Sequence, residues 1–196
     1  MTSTASKNRR LATLSMLSGL VAVLTVLQNI VRFGPFPITL ALTPIIVGAA
    51  IYDAKAGAIL GSVFGIVTFI TGMFGMDGGG VLLMWSANPI ALIIVCIGKA
   101  TLAGFCAGLA YKLLARKKVE YGVLAAGVIC PIVNTGIFLV GMITCFMGLL
   151  KEWAGGTNIL SYMLVGLAGW NFVVELLVNL VLSSAITTIV KQRIGK

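Results

Sequence analysis

The sequence predicts an all-α membrane protein with six transmembrane helices and both termini in the cytoplasm. Of its 196 residues, 59% are hydrophobic and only 10% are charged, whereas a soluble domain carries about 25% charged residues. The apolar residues lie in six long runs, and short clusters of basic residues separate alternate runs. We therefore predict a cytoplasmic N-terminal segment at 1–10, a transmembrane domain at 11–190 and a cytoplasmic tail at 191–196.

Each apolar run is interpreted as one membrane span, because a helix needs about 20 apolar residues to cross the hydrocarbon core. The second run is slightly short and contains Pro44, while the last two runs are long enough to tilt or to project beyond the bilayer. Pro131 is expected to bend the fifth helix, since proline cannot donate the intrahelical hydrogen bond. The runs are residues 11–31, 37–52, 56–74, 89–111, 121–150 and 159–190.

The distribution of lysine and arginine sets the orientation of these spans. With the N-terminus inside, eleven of the fourteen basic residues lie in cytoplasmic segments, two lie outside, and Lys99 lies within a helix. Positive residues are retained on the cytoplasmic side of a membrane. An even number of helices is therefore the consistent topology, and the chain is expected to be a multi-pass protein surrounded by membrane lipid.

The outer connections contain more turn residues than the inner ones and are predicted to be irregular. The connection at 75–88 includes three consecutive glycines, which are interpreted as a hinge, and it ends with Trp85 and Asn88 near the membrane surface. Loops of this kind often carry binding residues, so Trp85 and Asn88 are candidates for substrate contact. A tryptophan at this level also serves as an interfacial anchor.

Polar side chains at membrane depth indicate where a ligand would bind. Lys99 and Glu175 stand near the middle of the fourth and sixth predicted helices, where a charge costs at least about 2.5–3.5 kcal/mol. Asn171, Glu175 and Asn179 recur at four-residue spacing and therefore share one helix face. Asn134 lies near the middle of the fifth helix. We predict that Lys99, Asn134, Asn171 and Glu175 line one cavity and bind a polar substrate.

Two interpretations of Lys99 follow from the residues. A single deep cation suits a ligand with one carboxylate, because neutralising a charge in a low dielectric is strongly favourable. Alternatively, Lys99 pairs permanently with Glu175, and the asparagines hold the helices together through hydrogen bonds worth about 0.6 kcal/mol each.

The composition excludes most catalytic chemistry. The chain has no histidine and only five acidic residues, so a nucleophile–histidine arrangement is impossible and a carboxylate pair is not expected. The four cysteines lie in apolar runs without a CxxC pair, which argues against a zinc site. The net charge of +9 lacks the aromatic-rich basic stripe of nucleic-acid binders. We predict no enzyme activity, no metal or cofactor and no nucleic-acid partner.

Six short segments follow one another in order along nearly the whole chain. They are 10–19, 37–40, 44–50, 55–58, 104–111 and 130–136, which read RLATLSMLSG, PITL, PIIVGAA, KAGA, GFCAGLAY and CPIVNTG. In this order they resemble the substrate-binding S component of energy-coupling factor (ECF) vitamin transporters. The Asn134-Thr135 pair and the basic residue on the fourth helix are most similar to the pantothenate-type members, and folate-type members are the nearest rival.

The resemblance implies a six-helix S-component bundle in the bacterial plasma membrane that captures a vitamin from outside. It also implies that the bundle docks onto a membrane T component and two cytoplasmic ATPase subunits. The family's docking face carries a small-xxx-small pattern on the first helix, usually of alanines. Here Ser15 and Gly19 match it, with Ser18 and Ala22 one step further, and small residues of this kind still allow close helix contact. Alternatively, these residues pack only within the chain.

Two other functions remain open. An independent secondary transporter of a small anionic solute usually shows two related halves, but residues 1–98 and 99–196 show no convincing repeat. A structural membrane protein without a ligand would leave the deep Lys99 and the polar face of the sixth helix unexplained.

Overall fold

The computed structural model describes residues 3–29 and 39–194, which are almost entirely helical. The long helices are α1 (Ser3–Gln28), α3 (Ala54–Met73), α5 (Pro89–Leu114), α6 (Val119–Cys145) and α9 (Trp170–Ile194). The shorter helices are α2 (Leu42–Ile51), α4 (Gly80–Ala87), α7 (Met147–Ala154) and α8 (Ile159–Ser161), and a π-helical segment, Tyr162–Gly169, joins α8 to α9.

Five stretches of the described chain are long and apolar enough to cross a membrane, and α2 adds a shorter apolar helix of 10 residues. This confirms the prediction of an all-α bundle of six membrane helices. Two boundaries differ from the prediction. The helix of the second run begins only at Leu42, and the part of that run before Thr39 lies outside the described residues. The first helix begins at Ser3, within the predicted N-terminal segment.

The outer connection at 75–88 is not irregular throughout, because it contains helix α4. The Asp77 carboxylate accepts hydrogen bonds from the backbone N–H groups of Gly79 and Val81, at 3.1 and 2.7 Å. These bonds satisfy N–H groups that a helix start leaves without an intrahelical partner. Gly79 has a φ of 92°, a left-handed conformation that glycine adopts without steric cost. The glycines therefore form a tight turn that starts a helix.

The fifth run, predicted as one helix over 121–150, is divided at Phe146 into α6 and α7. The short α7 is amphipathic. Leu150 and Ala154 are buried, whereas Lys151 is exposed to the surroundings. A helix with one polar face is better placed at the membrane surface than across the membrane, which accounts for the break.

A π-helical segment, Tyr162–Gly169, replaces the α-helix predicted for the first part of 159–190. Such segments are rare, and they are frequently found at functional sites. Here Leu167 and Ala168 lie against the cavity described below, so the irregular turns contribute directly to its wall.

Glycines bring the backbones of α3 and α5 into direct contact. A Cβ atom on Gly57 would collide with the carbonyl oxygen of Gly104, and one on Gly61 would collide with that of Ala100. The paired numbers rise on one helix as they fall on the other, so the two helices are antiparallel. Because Lys99 directly precedes Ala100, this contact fixes the height of Lys99 in the bundle.

Ion pairs and close packing gather the basic segments at one end of the bundle, which we call the inner end. The Arg10 guanidinium donates a hydrogen bond to the Asp53 carboxylate at 2.8 Å, and Lys191 pairs with Glu120. The Asp53 carboxylate also caps α3 by accepting a hydrogen bond from the N–H of Ala56 at 2.7 Å. The turn before α4 and helix α7 lie at the opposite, outer end. This arrangement agrees with the predicted positions of the basic segments.

Candidate functional site

A cavity of about 90 Å³ lies between two clusters of buried apolar residues. The cluster toward the inner end contributes Phe64 to its wall, and the cluster toward the outer end contributes Met84 and Val95. The cavity reaches from the turn before α4 to the middle of α5 and the first two turns of α9. Its polar lining residues are Gln28, Asn29, Thr39, Thr68, Thr71, Asp77, Lys99, Asn134, Thr135, Asn171 and Glu175.

Four of the six predicted substrate-binding residues meet at this cavity. Lys99 comes from α5, Asn134 from α6, and Asn171 and Glu175 from α9. Asn134 and Glu175 are deeply buried, with 4% and 5% of their surfaces exposed. The geometry therefore brings together on one cavity the four side chains that the sequence placed at membrane depth.

The Lys99 ammonium lies over the Phe138 ring, 4.8 Å from its centroid. A cation in this position is attracted by the negative face of the ring. Within the part of the chain that the structure describes, no carboxylate oxygen lies within 4.0 Å of the ammonium, and the ion pairs present are those at the inner end. A permanent Lys99–Glu175 pair is therefore not formed, and the positive charge of Lys99 faces a cavity that can hold an anion.

Glu175 is held by one carboxylate oxygen. Its Oε1 accepts a hydrogen bond from the backbone N–H of Thr39 at 2.9 Å, which ties α9 to the chain before α2. Its Oε2 is buried and meets no hydrogen-bond donor among the described residues. The Asn134 Oδ1 and the Gln28 Oε1 are also buried without a hydrogen-bond donor among the described residues. Buried oxygens of this kind are usually satisfied by a protein group, a water or a ligand.

Asn179, the third polar residue on this face of α9, has a different role. Its Oδ1 accepts a hydrogen bond from the Thr43 hydroxyl at 3.2 Å, and only 2% of the residue is exposed. It does not line the cavity. This contact fits the interpretation in which asparagines hold helices together.

Asp77 is a cavity residue that the sequence analysis did not identify. It is 5% exposed, and both of its carboxylate oxygens accept backbone hydrogen bonds at the start of α4. An aspartate followed by glycines and then by an apolar run is a recognisable signal for such a turn. Because both oxygens are already bonded, Asp77 shapes the outer wall of the cavity.

Gln28, Thr39 and Thr68 were also missed. Gln28 is an isolated polar residue at the end of an apolar run, which is the one sequence signal it offers. Thr39 and Thr68 are ordinary residues for apolar helices and their ends. Their position on the cavity follows from packing between helices distant in sequence, which a local pattern does not encode.

Trp85 and Asn88, the other two predicted substrate-binding residues, do not line this cavity. The Trp85 ring packs against Phe69, with 5.8 Å between the ring centroids. The Asn88 Oδ1 accepts a hydrogen bond from the N–H of Ala91 at 3.1 Å and so caps α5. The unexpected α4 explains the difference, because it turns these residues toward packing and capping roles.

The small residues of α1 form part of an open surface. Ser15 and Gly19 are exposed, and Ser18 and Ala22 are half-buried. A Cβ atom on Gly19 would have no neighbour within 4 Å among the described residues. Packing against the described residues therefore does not explain Ser15 and Gly19, although it accounts for part of the surface of Ser18 and Ala22.

Comparisons with known proteins agree with this architecture. The chain matches the family model for "ECF transporter, substrate-specific component" over residues 9–191. It is similar to the pantothenic acid transporter PanT of Lactococcus lactis subsp. cremoris (strain MG1363), with 27% identity over an alignment that covers 92% of this chain and 94% of that protein. No solved structure matches the chain.

Proposed function

The chain belongs to the family of ECF transporter substrate-specific components, and from this premise we propose that it binds pantothenate for import. Family membership makes it a multi-pass bacterial membrane protein of a transport system rather than an enzyme. The identity of the substrate, pantothenate, is the part that we propose. It is supported by the similarity to a pantothenic acid transporter and by the chemistry of the cavity.

The observation that carries the proposal is the Lys99 ammonium on the cavity wall, with no carboxylate oxygen within 4.0 Å among the described residues. Pantothenate has one carboxylate, one amide and two hydroxyl groups. Its carboxylate pairs with Lys99, because a charge-assisted hydrogen bond is strong where water is largely excluded. The apolar side chains of Phe64 and Phe138 surround the carbon skeleton.

A folate-type substrate fits this chemistry less well. Folate carries two carboxylates, whereas Lys99 is the one basic residue among the described residues of the cavity wall. The second carboxylate would face Glu175 or Asp77 without a cation. An independent secondary transporter has no specific observation in its favour.

The partners in this proposal are a T component and two ATPase subunits. Ser15 and Gly19 lie on an exposed face of α1, where small side chains allow a second helix to approach closely. Exposed apolar neighbours, including Met16 and Leu20, extend this face. We propose that the T component docks here, while the ATPases act from the inner end without contacting the substrate.

Titration calorimetry of the purified chain tests the substrate. The chain, in detergent or lipid nanodiscs, is titrated with pantothenate and separately with folate. We expect saturable binding of one pantothenate and much weaker binding of folate. Native mass spectrometry of gently purified protein gives a second readout, since a retained substrate adds its own mass. Tighter binding of folate, or no pantothenate binding by folded protein, would overturn the proposal.

A further inference from the structure

We infer that the substrate carries hydrogen-bond donors at the end opposite its carboxylate, and that Glu175 and Asn134 select for them. This inference rests on the proposed function and specifies the chemistry that the same cavity recognises. It concerns the acceptor oxygens of the cavity rather than the Lys99 cation. The substrate class is a monocarboxylic acid that bears hydroxyl or amide N–H groups.

Three acceptor oxygens from three different helices carry this inference. The Gln28 Oε1, the Asn134 Oδ1 and the Glu175 Oε2 are buried, and none has a hydrogen-bond donor among the described residues. The three residues are only 3%, 4% and 5% exposed, and all three line the cavity. Burying a polar group without a partner is unfavourable, so a bound molecule that supplies donors gains free energy at each oxygen.

Glu175 determines that the ligand must donate, and not accept, a hydrogen bond at this position. Its Oε1 is already occupied by the Thr39 N–H, so the protein fixes the orientation of the carboxyl group and leaves Oε2 toward a ligand. Oε2 is a buried carboxyl oxygen without a donor among the described residues, and such an oxygen accepts a hydrogen bond. A ligand hydroxyl or N–H therefore fits beside Oε2, whereas an ether, an ester oxygen or a second carboxylate does not.

Lys99 and Glu175 together fix the orientation in which the ligand binds. They line the same cavity without forming an ion pair, so both remain able to bind groups of the ligand. A molecule with its carboxylate toward Lys99 places its donors toward Glu175 and Asn134. A fatty acid offers no donors, and a dicarboxylate offers the wrong charge, so both are excluded although each could neutralise Lys99.

The test compares two ligands on three proteins. The ligands are pantothenate and an analogue in which both hydroxyl groups are replaced by hydrogen, which keeps the carboxylate, the amide and the carbon skeleton. The proteins are the full wild-type chain, Glu175→Gln and the matched control Glu152→Gln, which makes the same change at an exposed glutamate outside the cavity. Glu175→Gln retains an oxygen for the Thr39 N–H and replaces the free carboxylate oxygen by an amide NH₂. Calorimetry gives six dissociation constants.

We expect wild type and Glu152→Gln to bind pantothenate at least about tenfold more tightly than the analogue, since a hydrogen bond to a charged group is worth this much. In Glu175→Gln this ratio should fall to about threefold or less, because a neutral hydrogen bond is weaker. Two outcomes would overturn the inference even if pantothenate binds. One is a ratio of dissociation constants in Glu175→Gln equal to that of the wild type. The other is a wild-type ratio near one, which would mean that only water bonds to these oxygens. Absence of pantothenate binding by the wild type would instead overturn the proposed function.

A second variant tests the inference independently in case Glu175→Gln does not fold. Asn134→Leu removes an acceptor from another helix and leaves the Thr39 contact intact. We expect it also to reduce the ratio between the two ligands, and unfolding of each variant without ligand shows whether the bundle is intact. Retention of the full ratio by folded Asn134→Leu would remove Asn134 from the recognition site.

Discussion

Lys99 on α5 and Glu175 on α9 line one cavity, yet each is held by a different neighbour: Lys99 by the Phe138 ring and Glu175 by the Thr39 N–H. The two side chains are therefore separately positioned. A ligand with an acid at one end and donors at the other can interact with both.

Lys99→Met is expected to weaken pantothenate binding by roughly 10- to 150-fold, which corresponds to the loss of about 1.5–3 kcal/mol from a charged hydrogen bond. Calorimetry measures the affinity, with Lys151→Met at an exposed lysine outside the cavity as control. Because Lys99 forms no ion pair among the described residues, thermal unfolding without ligand should not shift to lower temperature. A marked loss of stability would indicate that Lys99 holds Glu175, since removal of one partner from a buried pair leaves an uncompensated charge.

Gly61→Ala is expected to destabilise the chain by about 1–3 kcal/mol, because the added Cβ atom meets the carbonyl group of Ala100 and forces the helices apart. Gly98→Ala on the partner helix is the control, since its Cβ atom would meet nothing within 4 Å in the part of the chain that the structure describes. Thermal unfolding in detergent compares the two. Equal unfolding temperatures would contradict the direct contact between α3 and α5.

Gly19→Trp is expected to abolish uptake while leaving pantothenate affinity unchanged. The indole would hold a second helix away from the exposed face of α1, and Gly19 is not among the residues that line the cavity. Uptake is measured in liposomes containing the chain, the T component and the two ATPase subunits, and the chain alone should give none. Leu102→Trp, at an exposed position on α5, is the control. If both variants import pantothenate at the wild-type rate, the docking face lies elsewhere.

The Arg10–Asp53 pair predicts a pH dependence of stability at the inner end. Burial alone would raise the pKa of Asp53, but hydrogen bonds from the Ala56 N–H and from Arg10 outweigh it, so the pKa lies below the ordinary value of 3.8. A carboxyl with a lowered pKa stabilises the fold fully above that ordinary value. The contribution is lost as the pH falls below 3.8 and through the lower pKa of the folded state.

Asp53→Asn tests this dependence, because asparagine keeps the helix cap and removes the charge. At pH 7 the wild type should unfold at a slightly higher temperature than Asp53→Asn. The difference in the free energy of unfolding should be less than about 1 kcal/mol, because both side chains of the pair are 41% exposed and screened by solvent. The difference should close as the pH falls below 3.8. A gap that persists at the lowest pH would show that the cap, and not the charge, accounts for it.

The membrane architecture and the central residues of the cavity could be predicted because they depend on polar residues that differ from their apolar neighbours in the sequence. Lys99, Glu175 and Asn134 stand out as polar residues inside long apolar runs, and the spacing of Asn171 and Glu175 places them on one face. These signals need no knowledge of which helices are neighbours. The helix α4 was missed because its start depends on hydrogen bonds to Asp77 in a segment whose glycines also suit a loop.

The remaining cavity residues could not be predicted because they depend on the register between distant helices. Gln28 reaches the cavity from the end of α1, which packs against α2 and α3. Thr39 reaches it because its N–H bonds Glu175 on α9. Position along the chain likewise did not reveal that the Trp85 ring packs on Phe69. The glycines at 57 and 61 are visible in the sequence, but their partner helix is not.

The backbone contact between α3 and α5 has a mechanical consequence for loading. Where two main chains touch without intervening side chains, no change of rotamer can create space, so these two helices form a stiff wall. Any widening of the cavity is therefore expected at its other walls, to which the π-helical segment contributes Leu167 and Ala168 and α4 contributes Met84. The wall that carries the Lys99 cation is expected to keep its shape.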